Sequence, residues 1–293
     1  MSSSSAPAAP AGASSLVKDL IEAGIHFGQR SANWNPRMQP YIYGKRNSIH
    51  IIDIKETVKG LLLAKKFIAK CVAEGKDVVF VGTKRQARDV LLQRVADVKM
   101  PHVTERWLGG TLTNFRTIRL RLKRLEELEG IETATGFQNY SKKMESQLKR
   151  EMRKIKRNLD GIRTMDKLPG AMVVIDTKRE HNALAEARKL GVPTICLIDT
   201  DGDPEKADIP IPGNDDSMRA IDVIIRELCA AVAEGRQQRA TTTGDRDGAT
   251  GAVSAADRGS ERSDAGPARR APRRAQFRAD DPTATEQVAA GNA

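Results

Sequence analysis

Three short, almost unbroken apolar runs constrain the fold of this chain more than any other feature. They are DVVFV at residues 77–81, AMVVID at 171–176 and PTICLID at 193–199. Each has the length of a strand and is bounded by Gly, Pro or charge. A strand with one wet face alternates apolar and polar residues, whereas a run without alternation is covered on both faces. Weaker strand candidates lie at 50–54 and 209–211, and helical patterning fills 55–74, 85–98, 179–190 and 217–233. Gly191 followed by Pro193 stops the third of these helices. Asn214, Asp215 and Asp216 offer caps and dipole partners to the fourth. Strand–helix alternation predicts an α/β domain with a mostly parallel sheet flanked by helices.

A segment of different character interrupts this alternation. Residues 113–167 hold fifteen Lys/Arg and eight Asp/Glu, a net charge of +7 out of +11 for the whole chain. Ile118, Leu122, Leu125 and Leu128 recur at helical spacing, and so do Met144, Leu148, Met152, Ile155, Leu159 and Ile162. The pattern predicts two amphipathic helices joined around residues 130–136, an antiparallel coiled-coil hairpin inserted into the α/β domain. Each apolar stripe is narrow, as expected for helices packed mainly on each other. Arg116, Arg119, Arg121, Lys123 and Arg124 come without one acid, and Lys149, Arg150, Arg153, Lys154, Lys156 and Arg157 come with only Glu151. A salt-bridged solvated face mixes signs more evenly. A face built for phosphates does not.

The ends of the chain read differently. Residues 1–14 are almost wholly Ser, Ala, Pro and Gly, and residues 236–293 carry ten Arg, eight acids and only three large apolar side chains. Neither can bury enough surface to offset ordering entropy, so both are expected to be disordered. The expected organisation is a leader at 1–14, an α/β domain at 15–112 and 168–235, the basic hairpin at 113–167 and an Arg-rich tail at 236–293. No run is apolar enough for a membrane span, and the N-terminus lacks the basic-then-apolar layout of a signal peptide. Cys71, Cys196 and Cys229 are widely spaced in apolar contexts. They read as buried thiols of a cytoplasmic protein.

Few motifs have the makings of a chemical site. VFVGTKRQAR (79–88) is a strand, a turn and a helix start carrying Lys84 and Arg85. It can seat a phosphate on helix amides or be a plain strand–helix turn, and it is neither a P-loop nor G-x-G-x-x-G. DTDGDP spaces Asp199, Asp201 and Asp203 by two, a weak magnesium candidate whose EF-hand match fails at Pro204 and Pro210. His26, His50, His102 and His181 show no metal-type spacing. No nucleophile context appears, so no catalytic constellation and no cofactor are expected. WNPRMQPYIYGKRN (34–47) interleaves Trp34, Tyr41 and Tyr43 with Arg37, Lys45 and Arg46. Such an arm suits unpaired RNA, or its aromatics pack on the core.

Five blocks give the chain a resemblance to a known family. LIEAGIHFG (20–28), WNPRMQPYIYGKRNSIHIIDI (34–54), VFVGTK (79–84), RWLGGTLTNF (106–115) and PIPGNDD (210–216) stand in order along nearly all of residues 16–235. Together they resemble the bacterial small-subunit ribosomal protein S2 family. The resemblance implies a flavodoxin-like parallel sheet with a protruding helical hairpin. It implies a structural, non-catalytic role, bound to small-subunit ribosomal RNA between head and body and helping to seat ribosomal protein S1. One departure is Gln29, where relatives often carry a second histidine after H-x-G.

In RWLGGTLTNF, Trp107 and Phe115 are expected to lock the foot of the hairpin onto the sheet domain. Gly109 and Gly110 permit a tight reversal, and Asn114 caps the first hairpin helix or meets phosphate. The RNA-binding set expected from charge placement is Arg37, Lys45, Arg46, Lys84, Arg85, Arg106, Asn114, Arg116, Arg119, Lys123, Arg150, Arg153, Lys154 and Arg157. Two other readings are weaker. A nucleotide-dependent enzyme on a doubly wound sheet lacks a phosphate loop and catalytic groups, and a coiled-coil adaptor without nucleic acid leaves the +7 unexplained.

Overall fold

The computed structural model describes residues 11–137 and 140–251. The chain divides into a compact unit ending at Gly248 and a second at Ala249–Ala293. The first carries both sheets and the helices that pack on them.

Five strands form a parallel sheet in the order β5-β4-β6-β7-β8: β4 (Val78–Val81), β5 (His102–Val103), β6 (Ala171–Ile175), β7 (Thr194–Ile198) and β8 (Ile209–Pro212). Numbered from β4, this is the order 2-1-3-4-5 of flavodoxin-like sheets. The three apolar runs form its centre, and every residue of β4, β6 and β7 is buried. Side chains alternate between faces. Phe80, Val173 and Leu197 share one buried cluster with α2 (Ile54–Ala73), α3 (Arg85–Val98) and α7 (Met218–Gly251). Val81, Val174 and Ile198 belong to a second cluster, which includes Ala183, Leu184 and Ala187 of α6 (His181–Leu190).

The second cluster also holds Ile118, Leu122, Leu125 and Leu128 of α4 (Phe115–Thr135) and Met152, Ile155 and Leu159 of α5 (Lys142–Leu159). Both stripes are therefore buried except at the far end, where Met144 is exposed. The helices do not pack on each other alone, since their apolar residues continue into the sheet's second core. The junction falls at the far end of the expected 130–136 span, and Gly130 itself lies within α4. One glycine costs about 1 kcal/mol, which flanking turns absorb, and α4 runs on to a left-handed cap at Gly136 (φ 56°).

A separate three-stranded antiparallel sheet, β1-β3-β2, joins β1 (Phe27–Arg30), β2 (Ile42–Arg46) and β3 (Ile49–Ile52). The arm at 34–47 contains a short helical turn, Pro36–Tyr41, followed by a hairpin. Asn47 and Ser48 both take positive φ, 49° and 62°, as a two-residue hairpin turn requires.

Both termini carry more helix than composition suggested. α1 (Ala11–Glu22) begins inside the expected leader, and α7 continues past Gly235 to Gly251. A helix already seated on a core gains one hydrogen bond per added residue and needs no further burial. The rest of the leader and tail, residues 1–10 and 252–293, lies outside the described residues.

Candidate nucleic-acid interface

The loop RWLGGTLTNF is organised around one carboxylate. Glu186, on α6, receives the Trp107 indole N–H at 3.1 Å and the Gly110 amide at 2.7 Å on Oε1. Its Oε2 receives the Leu112 amide at 3.0 Å, the Thr113 amide at 3.1 Å and the Thr113 hydroxyl at 3.2 Å. Burial alone would raise the Glu186 pKa, but these donors outweigh it and hold it below the ordinary value. Trp107 is buried in the second core, and Phe115 packs against the same cluster. Of the two glycines only Gly110 needs its freedom, with φ at 91°. Asn114 stands at the N-cap of α4 without a capping bond, and its Oδ1 accepts from the Thr117 hydroxyl at 2.8 Å. Glu186 had no signal in the sequence: it is one exposed-looking acid on a helix, 79 residues from Trp107.

Beyond this foot the charges separate into two populations. Four of the six acids of α4 and α5 are engaged locally, Glu127 with Arg124 among them. Glu129 holds Arg163 and Lys156, Glu145 holds Lys149, and Glu151 reaches Arg124. Arg116, Lys123, Arg150, Lys154 and Arg157 are exposed, and among the described residues none has a carboxylate partner. Arg153 is exposed and donates to the Lys149 carbonyl at 3.3 Å. Arg119 differs from the others, pairing with Asp166 at 2.8 Å and donating to the Met165 carbonyl.

The remaining expected contacts are spread out. Lys45 and Arg46 are exposed on β2 beside Tyr43, which is 81% exposed. Tyr41 packs against the second core, and Trp34 lies tilted over His50 at 5.1 Å. Only Tyr43 of the three aromatics therefore stays fully presented. Arg37 is held by Asp203 and Glu205. Arg85 is exposed at the start of α3, and Arg106 is exposed beside Trp107.

Lys84 points elsewhere. Its ammonium is nearly buried between Asp215 at 2.7 Å and Asp216 at 2.6 Å. Burial would lower its pKa, yet the two carboxylates raise it. Gln29 closes the cluster, donating to Asp199 at 3.1 Å and Asp216 at 2.6 Å. Burial pushes the Asp199 and Asp215 carboxyls well above the usual range. The three carboxylates lie within 4.8 Å of one another, which is cation-site spacing. The DTDGDP expectation is corrected here: Asp201 pairs with Lys178 and Asp203 with Arg37, so neither joins Asp199. The cluster instead draws on loops after β4, β7 and β8, and the Lys84 ammonium supplies a cation from within the chain.

The family profile described as Ribosomal protein S2 matches residues 20–235, most of the chain. The chain belongs to the ribosomal protein S2 family. A relative named small ribosomal subunit protein uS2, from Rhodopirellula baltica, is 55% identical over 229 residues, covering 78% of this chain and 88% of its own. The uS2 proteins of Mycolicibacterium gilvum and Mycobacterium tuberculosis H37Rv are 46% and 47% identical, each over more than three quarters of both chains. Family membership assigns a structural role in translation on the small ribosomal subunit, without enzymatic activity. No helix among the described residues is long and apolar enough to cross a membrane.

Proposed function

We propose that α4 and α5 form a basic coiled-coil hairpin that projects from the sheet domain and grips small-subunit ribosomal RNA. The observation that carries this is the sorting of charge. Four of the six acids of the pair are taken up by Arg163, Lys156, Lys149 and Arg124, while Arg116, Lys123, Arg150, Lys154 and Arg157 face solvent without a carboxylate partner among the described residues. Unpaired cations at roughly one-turn spacing suit phosphates, whose counterions they release on binding. The Glu186-centred foot gives the hairpin a defined direction. Lys45, Arg46 and Tyr43 on β2 add a second, smaller contact. Lys84 and Arg37 are left out because carboxylates hold them. In this reading the protein lies on the RNA between head and body of the small subunit and helps to seat ribosomal protein S1. That placement rests on the family resemblance.

The test is a charge-reversal variant, Arg116→Glu, Lys123→Glu, Arg150→Glu and Lys154→Glu together. All four positions are exposed, so the thermal midpoint should stay close to wild type. Affinity for small-subunit RNA and incorporation into subunits should both collapse. The salt slope of log K should shrink by about 0.7–0.9 for each phosphate that is no longer neutralised. Unchanged incorporation would refute the hairpin as the RNA grip.

A further inference from the structure

We propose that the cavity at the carboxyl ends of β4 and β6 is a phosphate-binding subsite. β4 and β6 are neighbours in the sheet, but the helices that follow them pack on opposite faces, α3 with the first core and α6 with the second. This is the point where strand order reverses, and open α/β sheets bind ligands in the crevice that opens there. Here the crevice is a cavity of about 430 Å³. Its walls include Thr83, Glu105, Arg106, Arg179, Glu180 and Asn182.

The charged groups on these walls are arranged unequally. Arg106 and Arg179 are both exposed, and among the described residues neither has a carboxylate partner within ion-pair distance. Glu105 is already paired with Arg88. Glu180 is 3% exposed and accepts both the amide and the hydroxyl of Thr83. Burial raises its pKa, and both Thr83 donors are directed at its Oε1. The Thr83 hydroxyl in turn accepts from Arg179 Nε at 3.1 Å. The chain Glu180–Thr83–Arg179 fixes one guanidinium at the cavity wall and leaves its terminal nitrogens available. Asn182 adds an amide from the first turn of α6, whose N-terminal end carries partial positive charge.

Two guanidiniums, a helix start and a side-chain amide around a space of this size match a phosphate group. Arginine forks meet its oxygens in pairs, and these charge-assisted bonds are among the stronger polar contacts. The phosphate can come from an RNA backbone or from a free mononucleotide. The RNA source is favoured and rests on the RNA-binding reading above: Arg106 adjoins Trp107, at the foot from which the basic helices start.

The experiment uses the full chain with three probes, which are inorganic phosphate, AMP and small-subunit RNA. Arg106→Ser and Arg179→Ser are compared with Lys66→Ser, a matched loss of charge at an exposed position of α2. The Thr83, Glu180 and Asn182 amide resonances should shift saturably with inorganic phosphate. Each arginine variant should weaken that binding by about tenfold, the effect of losing one charge-assisted bond, while Lys66→Ser leaves it unchanged. If RNA affinity and salt slope fall in the arginine variants, the phosphate belongs to RNA. If AMP gives the shifts and RNA affinity is unmoved, it belongs to a nucleotide. Both outcomes support the subsite. Absence of saturable shifts at Thr83, Glu180 and Asn182 with every probe overturns it, even if RNA binding weakens, because the arginines would then act outside the cavity. The helix charge reversals fail or succeed separately, so loss of the hairpin reading is distinguishable from loss of the subsite.

Discussion

The indole N–H of Trp107 lies 3.1 Å from Glu186 Oε1, and four more donors from the same loop converge on that carboxylate. The contact joins the loop that starts α4 to a helix anchored on the sheet. It converts a flexible Gly-containing segment into a corner of fixed direction. Trp107 supplies buried surface and Glu186 supplies geometry, and neither substitutes for the other.

Removing the carboxylate should loosen the corner without changing the exposed charge. Glu186→Ala leaves the partly buried Gly110 and Leu112 amides without their acceptor and should cost the value of one charged hydrogen bond, about 1.5–3 kcal/mol. Trp107→Phe keeps most of the packing and loses one donor. The two effects should be coupled, with an interaction energy of about 0.5–3 kcal/mol in a double-mutant cycle of thermal or urea melts. Strict additivity would show that the indole N–H and the carboxylate do not act together.

The same carboxylate predicts a pH dependence. Its pKa is lowered on folding, so its stabilisation is present above the unfolded value, about 4.3 for Glu. That stabilisation is lost as pH falls through the folded pKa. Glu186→Gln should therefore narrow its stability deficit as pH is lowered from 6 toward 3. A deficit that stays constant across this range would contradict the assigned role.

The buried carboxylates around Lys84 contribute in the opposite sense. Asp199 and Asp215 have raised folded pKa values from burial. They are least costly below about pH 4, the unfolded Asp range, and become more costly as pH rises toward the folded values. Lys84→Met removes the ammonium between Asp215 and Asp216 and should destabilise by roughly 3–5 kcal/mol near neutrality, as for other broken buried pairs. Acidification should recover part of this loss. Melts across pH 4–8 would show it, and a variant as stable as wild type at pH 8 would refute the pairing.

Gly161 lies in the short 3-10 turn Asp160–Ile162 that follows α5, and a Cβ there would overlap the His102 carbonyl on β5. Gly161→Ala must push the end of α5 away from the sheet edge, at about 1–3 kcal/mol for an overpacked contact. RNA binding should fall with it although no charge has changed. Gly130→Ala, where nothing lies within 4 Å, is the control and should be neutral or stabilising. Equal melting of the two variants would disprove the close approach.

Truncation after Gly251 and after Gly235 should give nearly the same thermal midpoint. Residues 236–241 are exposed, although the Arg239 guanidinium rests beside Gly75. Ends that bury little contribute little. A fall of more than about 8 °C on removing residues 236–251, a larger shift than 1 kcal/mol gives in a domain this size, would show that this part of α7 carries core stability.

Local pattern determined the parts of this protein that rest on repeating burial. The runs at 77–81, 171–176 and 193–199 became the sheet centre, because a strand covered on both faces must be apolar throughout. The 3–4 spacing of Ile118, Leu122, Leu125 and Leu128 marked the buried stripe of α4, because one helix face must meet a core. Net charge in residues 113–167 was legible too, since charge is summed from composition. What converges from distant positions was decided only by tertiary structure. Glu186, the acceptor for the 107–113 loop, and Glu180, which holds Thr83, look like ordinary helix acids until the parallel sheet brings α6 beside the loops after β4 and β5. Closeness in sequence groups Asp199 with Asp201 and Asp203. The sheet instead gave it Asp215 and Asp216, since the carboxyl ends of β7 and β8 lie side by side. The same convergence enclosed Lys84 in carboxylates and left Arg106 outside. Pairing between charges depends on distances of a few ångströms across the fold, and sequence spacing carries no information at that range.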